Sequence, residues 1–115
     1  MRVIAGKYRT RVLKEVPGIS TRETKDRVKE SIFNSITPHL YDAVVLDLFA
    51  GSGSLGFEAI SRGSKFAEFV DSNVKACKIV KDNAKSLDIV KQCKITQADY
   101  LDYLHQSKEK YDIIL

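Results

Sequence analysis

The chain has 115 residues, 43% hydrophobic and 30% charged, with a net charge of +4, which suits one ordinary globular domain or a part of one. No apolar run approaches membrane-spanning length, and the basic start Met1-Arg2-Val3-Ile4-Ala5-Gly6-Lys7 lacks the apolar core of a signal peptide. Cys77 and Cys93 have neither CxxC spacing nor a nearby His partner, so they read as buried thiols in a reducing cytoplasm and not as metal ligands.

The charge is unevenly spread. Residues 1–40 hold nine Lys/Arg against four Asp/Glu, a local charge of +5, which leaves −1 for the remainder. Positive charge concentrated at one end suits a polyanion such as RNA or DNA, or else a solvated basic surface. Residues 2–13 are predicted as two short strands around Gly6-Lys7. In the second strand Lys7, Arg9 and Arg11 alternate with Tyr8, Thr10 and Val12, so the three cations would share one face. Such a basic face could track a phosphate backbone, or protect a sheet edge from aggregation.

Val16-Pro17-Gly18 is a turn. A helix is expected from about Thr24 to Ile36, with Val28, Ile32 and Ile36 as its apolar stripe, Phe33 beside them, and Pro38 ending it. Its start is open. Thr24 could cap with Asp26 in the first turn, and Ser20 with Glu23 also fits a capping box.

From Ala43 the pattern changes to alternating strands and helices. Val44-Val45-Leu46-Asp47-Leu48-Phe49 reads as a strand buried on both faces, and Ala50-Gly51-Ser52-Gly53 as a tight turn. A helix follows from Ser54 to about Arg62, stopped by Gly63. Phe66–Asp71 is a second strand, Asn73 caps a helix reaching about Leu87, and Cys93–Ala98 is a third strand. A short helix lies around Leu101–Gln106, and Tyr111–Leu115 is a fourth strand. This order implies an α/β fold with a mostly parallel sheet, whose ligands bind at the carboxyl ends of the strands.

Gly51, Gly53 and Gly56 spell GxGxxG between a strand and a helix, a context that suits a ligand loop. A dinucleotide site offers helix-terminal amides to a pyrophosphate. Here Asp47 stands four positions before Gly51, and an anion there suits a cationic ligand better than a phosphate. S-adenosylmethionine carries an ammonium and a sulfonium and no phosphate, so charge favours it over NAD. The local alternative is that Asp47 caps loop amides. Asp71, twenty residues after Gly51, could accept both ribose hydroxyls of an adenosine. Asp99 could accept from the adenine amino group, or cap the short helix after it. The neighbours Phe49, Ala50, Ser52, Ser72 and Tyr100 complete the candidate cofactor-binding set.

With these segments in view, the chain resembles the RsmD-like family of bacterial small-subunit ribosomal RNA guanine-N2 methyltransferases. Met1–Arg9 looks like that family's N-terminal hairpin. Thr21-Arg22-Glu23-Thr24-Lys25-Asp26-Arg27-Val28-Lys29-Glu30-Ser31-Ile32-Phe33-Asn34 is similar to its signature helix, usually written RPTTDRVREALFN, with Glu23 replacing proline and Lys25 replacing threonine. Leu46–Ala59 looks like its cofactor loop. The resemblance implies a Rossmann-like class I S-adenosylmethionine-dependent methyltransferase fold. Residues 1–40 would form a basic hairpin-and-helix extension, and residues 41–115 the first half of the cofactor-binding domain. It implies that the region of Thr24, Asp26 and Arg27 closes over the cofactor or the target base. The alternative from the residues alone is an amphipathic helix with Arg27 and Glu30 paired. It further implies 16S ribosomal RNA or the small ribosomal subunit as partner, with Lys7, Arg9 and Arg11 on the RNA, and no metal and no membrane.

The family's Asp/Asn-Pro-Pro-aromatic tetrapeptide follows its fourth strand. In this sequence the only prolines are Pro17 and Pro38. The expectation is therefore a truncated chain whose catalytic residues lie after Leu115, active only as part of a longer protein. Two other classes remain open: a noncatalytic RNA-binding module of the same fold, and an NAD-type nucleotide-binding oxidoreductase.

Overall fold

Four strands alternate with helices along the second half of the chain. The first is β1 (Val44–Asp47), followed by α2 (Ser54–Ser61), β2 (Phe66–Asp71) and α3 (Val74–Ser86). Then come β3 (Cys93–Gln97), α4 (Tyr100–Gln106) and β4 (Ile113–Ile114), and the long helix α1 (Arg22–Ile36) precedes them all. The computed structural model describes residues 1–17, 22–107 and 110–115, with the side chains of residues 22–25 outside the description. The sheet order is β3-β2-β1-β4 and every pairing is parallel. The strand order thus reverses beside β1, which places a ligand crevice at the carboxyl ends of the strands there.

The helices cover both faces of the sheet. Phe69 of β2 packs on Phe57 of α2, with ring centroids 4.7 Å apart. The preceding residue, Glu68, points to the opposite face and receives the Tyr103 hydroxyl of α4, as the two-residue period of a strand requires. The core is built from Val45, Ala67, Phe69, Phe57, Ala59, Ile60, Val80 and Ala84, with Phe33 of α1 and Val3 and Leu13 of the N-terminal segment. Asn73 caps α3 as expected, accepting from the Lys75 amide, and Gly63 closes α2 at φ +124°. Among the described residues, no helix is long and apolar enough to cross a membrane, and no three metal-ligating side chains cluster. Both cysteines are free.

The strand expected over Val44–Phe49 ends at Asp47, where the chain turns into the glycine loop and leaves Phe49 exposed, and the strand expected over Tyr111–Leu115 pairs only at Ile113–Ile114; two larger expectations also change. The N-terminal hairpin pairs only at its ends, through one antiparallel bridge between Arg2 and Val12. Residues 7–10 are turns, held by Arg9 N–H donating to the Gly6 carbonyl and Arg11 N–H donating to the Tyr8 carbonyl. Lys7, Arg9 and Arg11 are all exposed, but they do not line one strand face. The cause is the tie to α2, where the Lys7 and Tyr8 amides donate to the carbonyl and hydroxyl of Ser61.

The second change is the inner face of α1. Val28 and Ile32 are 53% and 45% exposed, whereas Lys29 and Phe33 are buried. The ammonium of Lys29 reaches the Arg2 carbonyl, the Ser54 hydroxyl and the Glu58 carboxylate, at 3.2, 3.3 and 3.5 Å. Partnered in this way, a lysine can occupy a position that the hydrophobic pattern reserves for an apolar residue. Because α1 begins at Arg22, Thr24 lies within the helix and does not cap it. The Ser20 of the alternative capping box lies outside the described residues.

Candidate cofactor site at the carboxyl edge of the sheet

Three acids stand at or just beyond the ends of successive strands: Asp47 at the end of β1, Asp71 at the end of β2, and Asp99 two residues after β3. The glycine loop runs between the first two. Gly51 adopts φ +56°, and a Cβ added there would meet nothing within 4 Å. Backbone can therefore meet a ligand at that point. The other two glycines answer to packing. A Cβ on Gly53 would lie 2.5 Å from the ring of Phe57 in α2, so Gly53 makes room for that ring; one on Gly56 would lie 2.3 Å from the Phe69 ring, so Gly56 lets α2 sit close against β2.

The loop's amides are largely turned onto the protein itself. Gly51 N–H donates to Oδ2 of Asp71 at 2.9 Å, and Gly56 N–H to Oδ2 of Asp47 at 3.1 Å. Gly53 N–H donates to the Ala50 carbonyl at 2.7 Å, and Ala50 N–H to the Val70 carbonyl at 3.0 Å. Of the amides in the first turn of α2, which a pyrophosphate would use, Gly56 is the one turned onto a carboxyl group. The buried ammonium near that turn, Lys29, is already shared among three oxygens.

Asp47 is almost fully buried. Burial pushes its carboxyl up to about 7; the Gly56 hydrogen bond opposes the rise and the charge of Asp71 adds to it. The sequence suggested a fixed anion here. The structure gives a buried acid whose ionisation near neutrality depends on what lies beside it, and its capping of a loop amide is also realised. Asp71 is half-buried and bridges the Gly51 and Asn73 amides, one to each oxygen, both at 2.9 Å. A carboxylate offers about four lone-pair sites, so two remain for hydroxyl donors. Asp99 is exposed and caps α4 through the Leu101 amide.

The remaining candidates divide. Phe49 is 68% exposed, and its ring lies 5.0 Å from that of Tyr100, which joins the loops after β1 and β3 in one aromatic surface. Ser72 is exposed beside Asp71. Ala50 and Ser52 are buried, and the Ser52 carbonyl accepts from the Asn83 amide group, so these two shape the loop from within. On α1, Asp26 is half-buried and Arg27 exposed, and among the described residues neither bonds to the glycine loop. The Thr24 side chain lies outside the described residues.

Sequence reasoning missed the groups that hold this site in place. Glu58, fully buried, accepts from the Ile4 and Ala5 amides and from Nε of Arg62, while Lys29 stands 3.5 Å away. Asn83 accepts from the Lys14 amide and donates to the Lys14 and Ser52 carbonyls. On the other sheet face Glu68 receives Thr96, Tyr103 and Tyr111, with Lys94 at 3.9 Å. Burial alone would raise its pKa, but these donors and the Lys94 charge outweigh burial and lower it.

Comparison with known proteins bears on this arrangement. The family model described as conserved hypothetical protein 95 matches residues 1–115. A Bacillus subtilis protein, YlbH, provisionally named an rRNA methyltransferase, is 48% identical over 96% of this chain and 60% of its own length. Ribosomal RNA small subunit methyltransferase D of Haemophilus influenzae is 37% identical over 99% of this chain and 61% of its own length. Among solved structures, yhhF of Escherichia coli, provisionally described as a methyltransferase, superposes with a TM-score of 0.89 at 33% identity. That match covers 99% of this chain and 61% of the other. The chain thus spans about three fifths of the relatives it matches.

Proposed function

Since the chain belongs over its whole length to the family described as conserved hypothetical protein 95, the RsmD-like family with its Rossmann-like methyltransferase fold, we propose that its carboxyl-edge site binds S-adenosylmethionine. We propose further that it serves methyl transfer to the exocyclic N2 of a guanine in small-subunit ribosomal RNA. The observation that carries the cofactor reading is the pair of carboxyl groups, Asp47 and Asp71, set against the glycine loop and the first turn of α2. Gly51 and Gly53 donate to Asp71 and Ala50, and Gly56 in the first turn of α2 donates to Asp47, so two carboxyl groups stand against the loop where they would oppose a phosphate. The site presents carboxyl groups and an open glycine backbone to a cationic adenosyl ligand.

The residues fit that ligand in kind. Asp71 keeps acceptor sites for two ribose hydroxyls, and the exposed Phe49–Tyr100 surface suits the flat face of an adenine. Asp99 can accept at the adenine edge with the lone pairs its cap leaves free. Asp47 would sit near the ligand's cationic end, where a neighbouring positive charge favours its ionised form. When bound, S-adenosylmethionine supplies a methyl group made electrophilic by its sulfonium. The protein's share is orientation: holding the donor at fixed points so that a base nitrogen meets the methyl in line. The guanine target comes from the family resemblance, and the ribosomal RNA partner is supported by the names of the relatives.

The test is calorimetry with S-adenosylhomocysteine on the wild-type chain and on Asp71→Ala. Loss of two hydrogen bonds to a charged acceptor, worth about 1.5–3 kcal/mol each, should weaken binding by at least tenfold. The variant must keep the wild-type circular dichroism. Equal affinity in the two proteins would remove Asp71 from the site.

A further inference from the structure

The charge of the second half of the chain sums to about neutral, but its lysines are not scattered. Four of them, Lys75, Lys78, Lys81 and Lys85, lie on α3 and all are exposed. At 100° per residue they fall within an arc of roughly 120°, and they extend about 15 Å along the helix. Among the described residues none of the four makes an ion pair. The one acid on the helix, Asp82, is taken by Lys14 at 3.4 Å. A solvated helix face usually mixes signs at i, i+3 and i, i+4. Here the neighbours 75/78, 78/81 and 81/85 are like-charged, which costs a few tenths of a kcal/mol per pair; Asp82 lies within the same arc, four residues after Lys78 and three before Lys85, and its partner is Lys14 from the N-terminal segment.

Distant sequence reinforces the stripe. The Arg11 guanidinium donates to the Ser86 carbonyl at 2.6 Å, and Lys14 reaches Asp82. The basic N-terminal segment is thus anchored along the lower end of α3. Beside the stripe runs a groove of about 180 Å³ between α3 and the edge strand β3, flanked by Lys78, Lys81 and Gln97 and floored by Cys77 and Ile95. The upper end of α3 begins three residues after Asp71, so the stripe leads directly to the candidate cofactor site.

We propose that this face of α3, continued by Arg11 and Lys14, is the surface that carries the phosphodiester backbone of RNA towards the cofactor site. Like charges held together at a small cost in stability are repaid by a polyanion that gives up its counterions on binding. The proposal rests on the reading above for the identity of the polyanion. The surface itself is defined by its charges.

The experiment is fluorescence anisotropy of a labelled RNA hairpin of small-subunit ribosomal sequence with the full chain. Three proteins are compared across a salt series: wild type, K78Q/K81Q, and K65Q/K110Q. The last is a matched control that loses two exposed lysines before β2 and β4. Losing two phosphate contacts should flatten the plot of log affinity against log salt by about 1.4–1.8, with at least tenfold weaker binding at moderate salt. The control should keep most of the wild-type slope. No RNA binding by wild type, an unchanged slope in K78Q/K81Q, or equal losses in both variants would each overturn the proposal. So would displacement of the RNA by polyglutamate at equal charge concentration. S-adenosylhomocysteine binding is followed in the same samples. Its absence, with the stripe dependence intact, would count against the cofactor reading and leave this surface standing.

Discussion

Asp47 concentrates the account at the scale of one residue. A carboxyl held near 7 in the folded chain, from a reference of 3.8, costs the fold nothing at low pH, where it is protonated in both states. As pH rises from about 4 to 7 the unfolded chain ionises first, so stability is lost through that window and stays low above it. Asp47→Asn keeps an acceptor for the Gly56 amide and removes the cost. It should raise stability at pH 8 by on the order of 4 kcal/mol and have little effect at pH 4, as read by urea titration at both values. A gain of equal size at both would mean that the carboxyl is not buried as described. A natural chain that keeps this strained acid fits a residue retained for a ligand's charge.

At the scale of elements, the sequence was most legible where hydrophobic period and capping residues agreed. The order β1–α2–β2–α3–β3–α4–β4, the Asn73 cap, the Gly63 stop and the glycine loop all follow from local chemistry that tertiary packing did not override. It was least legible where a polar side chain does the work of a core residue. Lys29 lies inside α1 because Glu58 lies opposite, 29 positions away, and no local pattern announces that pair. The alternation over residues 7–13 misled for a similar reason: Ser61 captures the Lys7 and Tyr8 amides that a strand would have spent on its neighbour. For the site, the spacing of Gly51 and Asp71 was readable, but the bond between them was not.

The Glu58 cluster also predicts behaviour. Glu58 is the acceptor that fixes the Ile4 and Ala5 amides and balances Lys29 and Arg62. Removing one partner of a buried charged network costs about 3–5 kcal/mol. Glu58→Ala should therefore lose stability on that order, and the Ile4 and Ala5 amides should exchange hydrogen far faster than those of β2. Unchanged protection at Ile4 and Ala5 would show that the N-terminal segment is held by other contacts.

For the whole molecule, the fold brings two chemistries to adjacent places. The reversal of strand order beside β1 gathers Asp47, Gly51, Asp71 and the Phe49–Tyr100 surface at one edge, while α3 carries a cationic face away from that edge. The charge count by halves of the sequence placed the basic region in residues 1–40 alone. Folding joins Arg11 and Lys14 to four lysines from beyond residue 70. The central claim, that the carboxyl edge is a cofactor site, depends on the ligand at the glycine loop being cationic and adenosyl-bearing. Side-by-side calorimetric titration of the chain with S-adenosylmethionine and with NADH tests that most directly. The account predicts saturable one-to-one heat from S-adenosylmethionine and none from NADH; saturable binding of NADH, with S-adenosylmethionine silent, would contradict it.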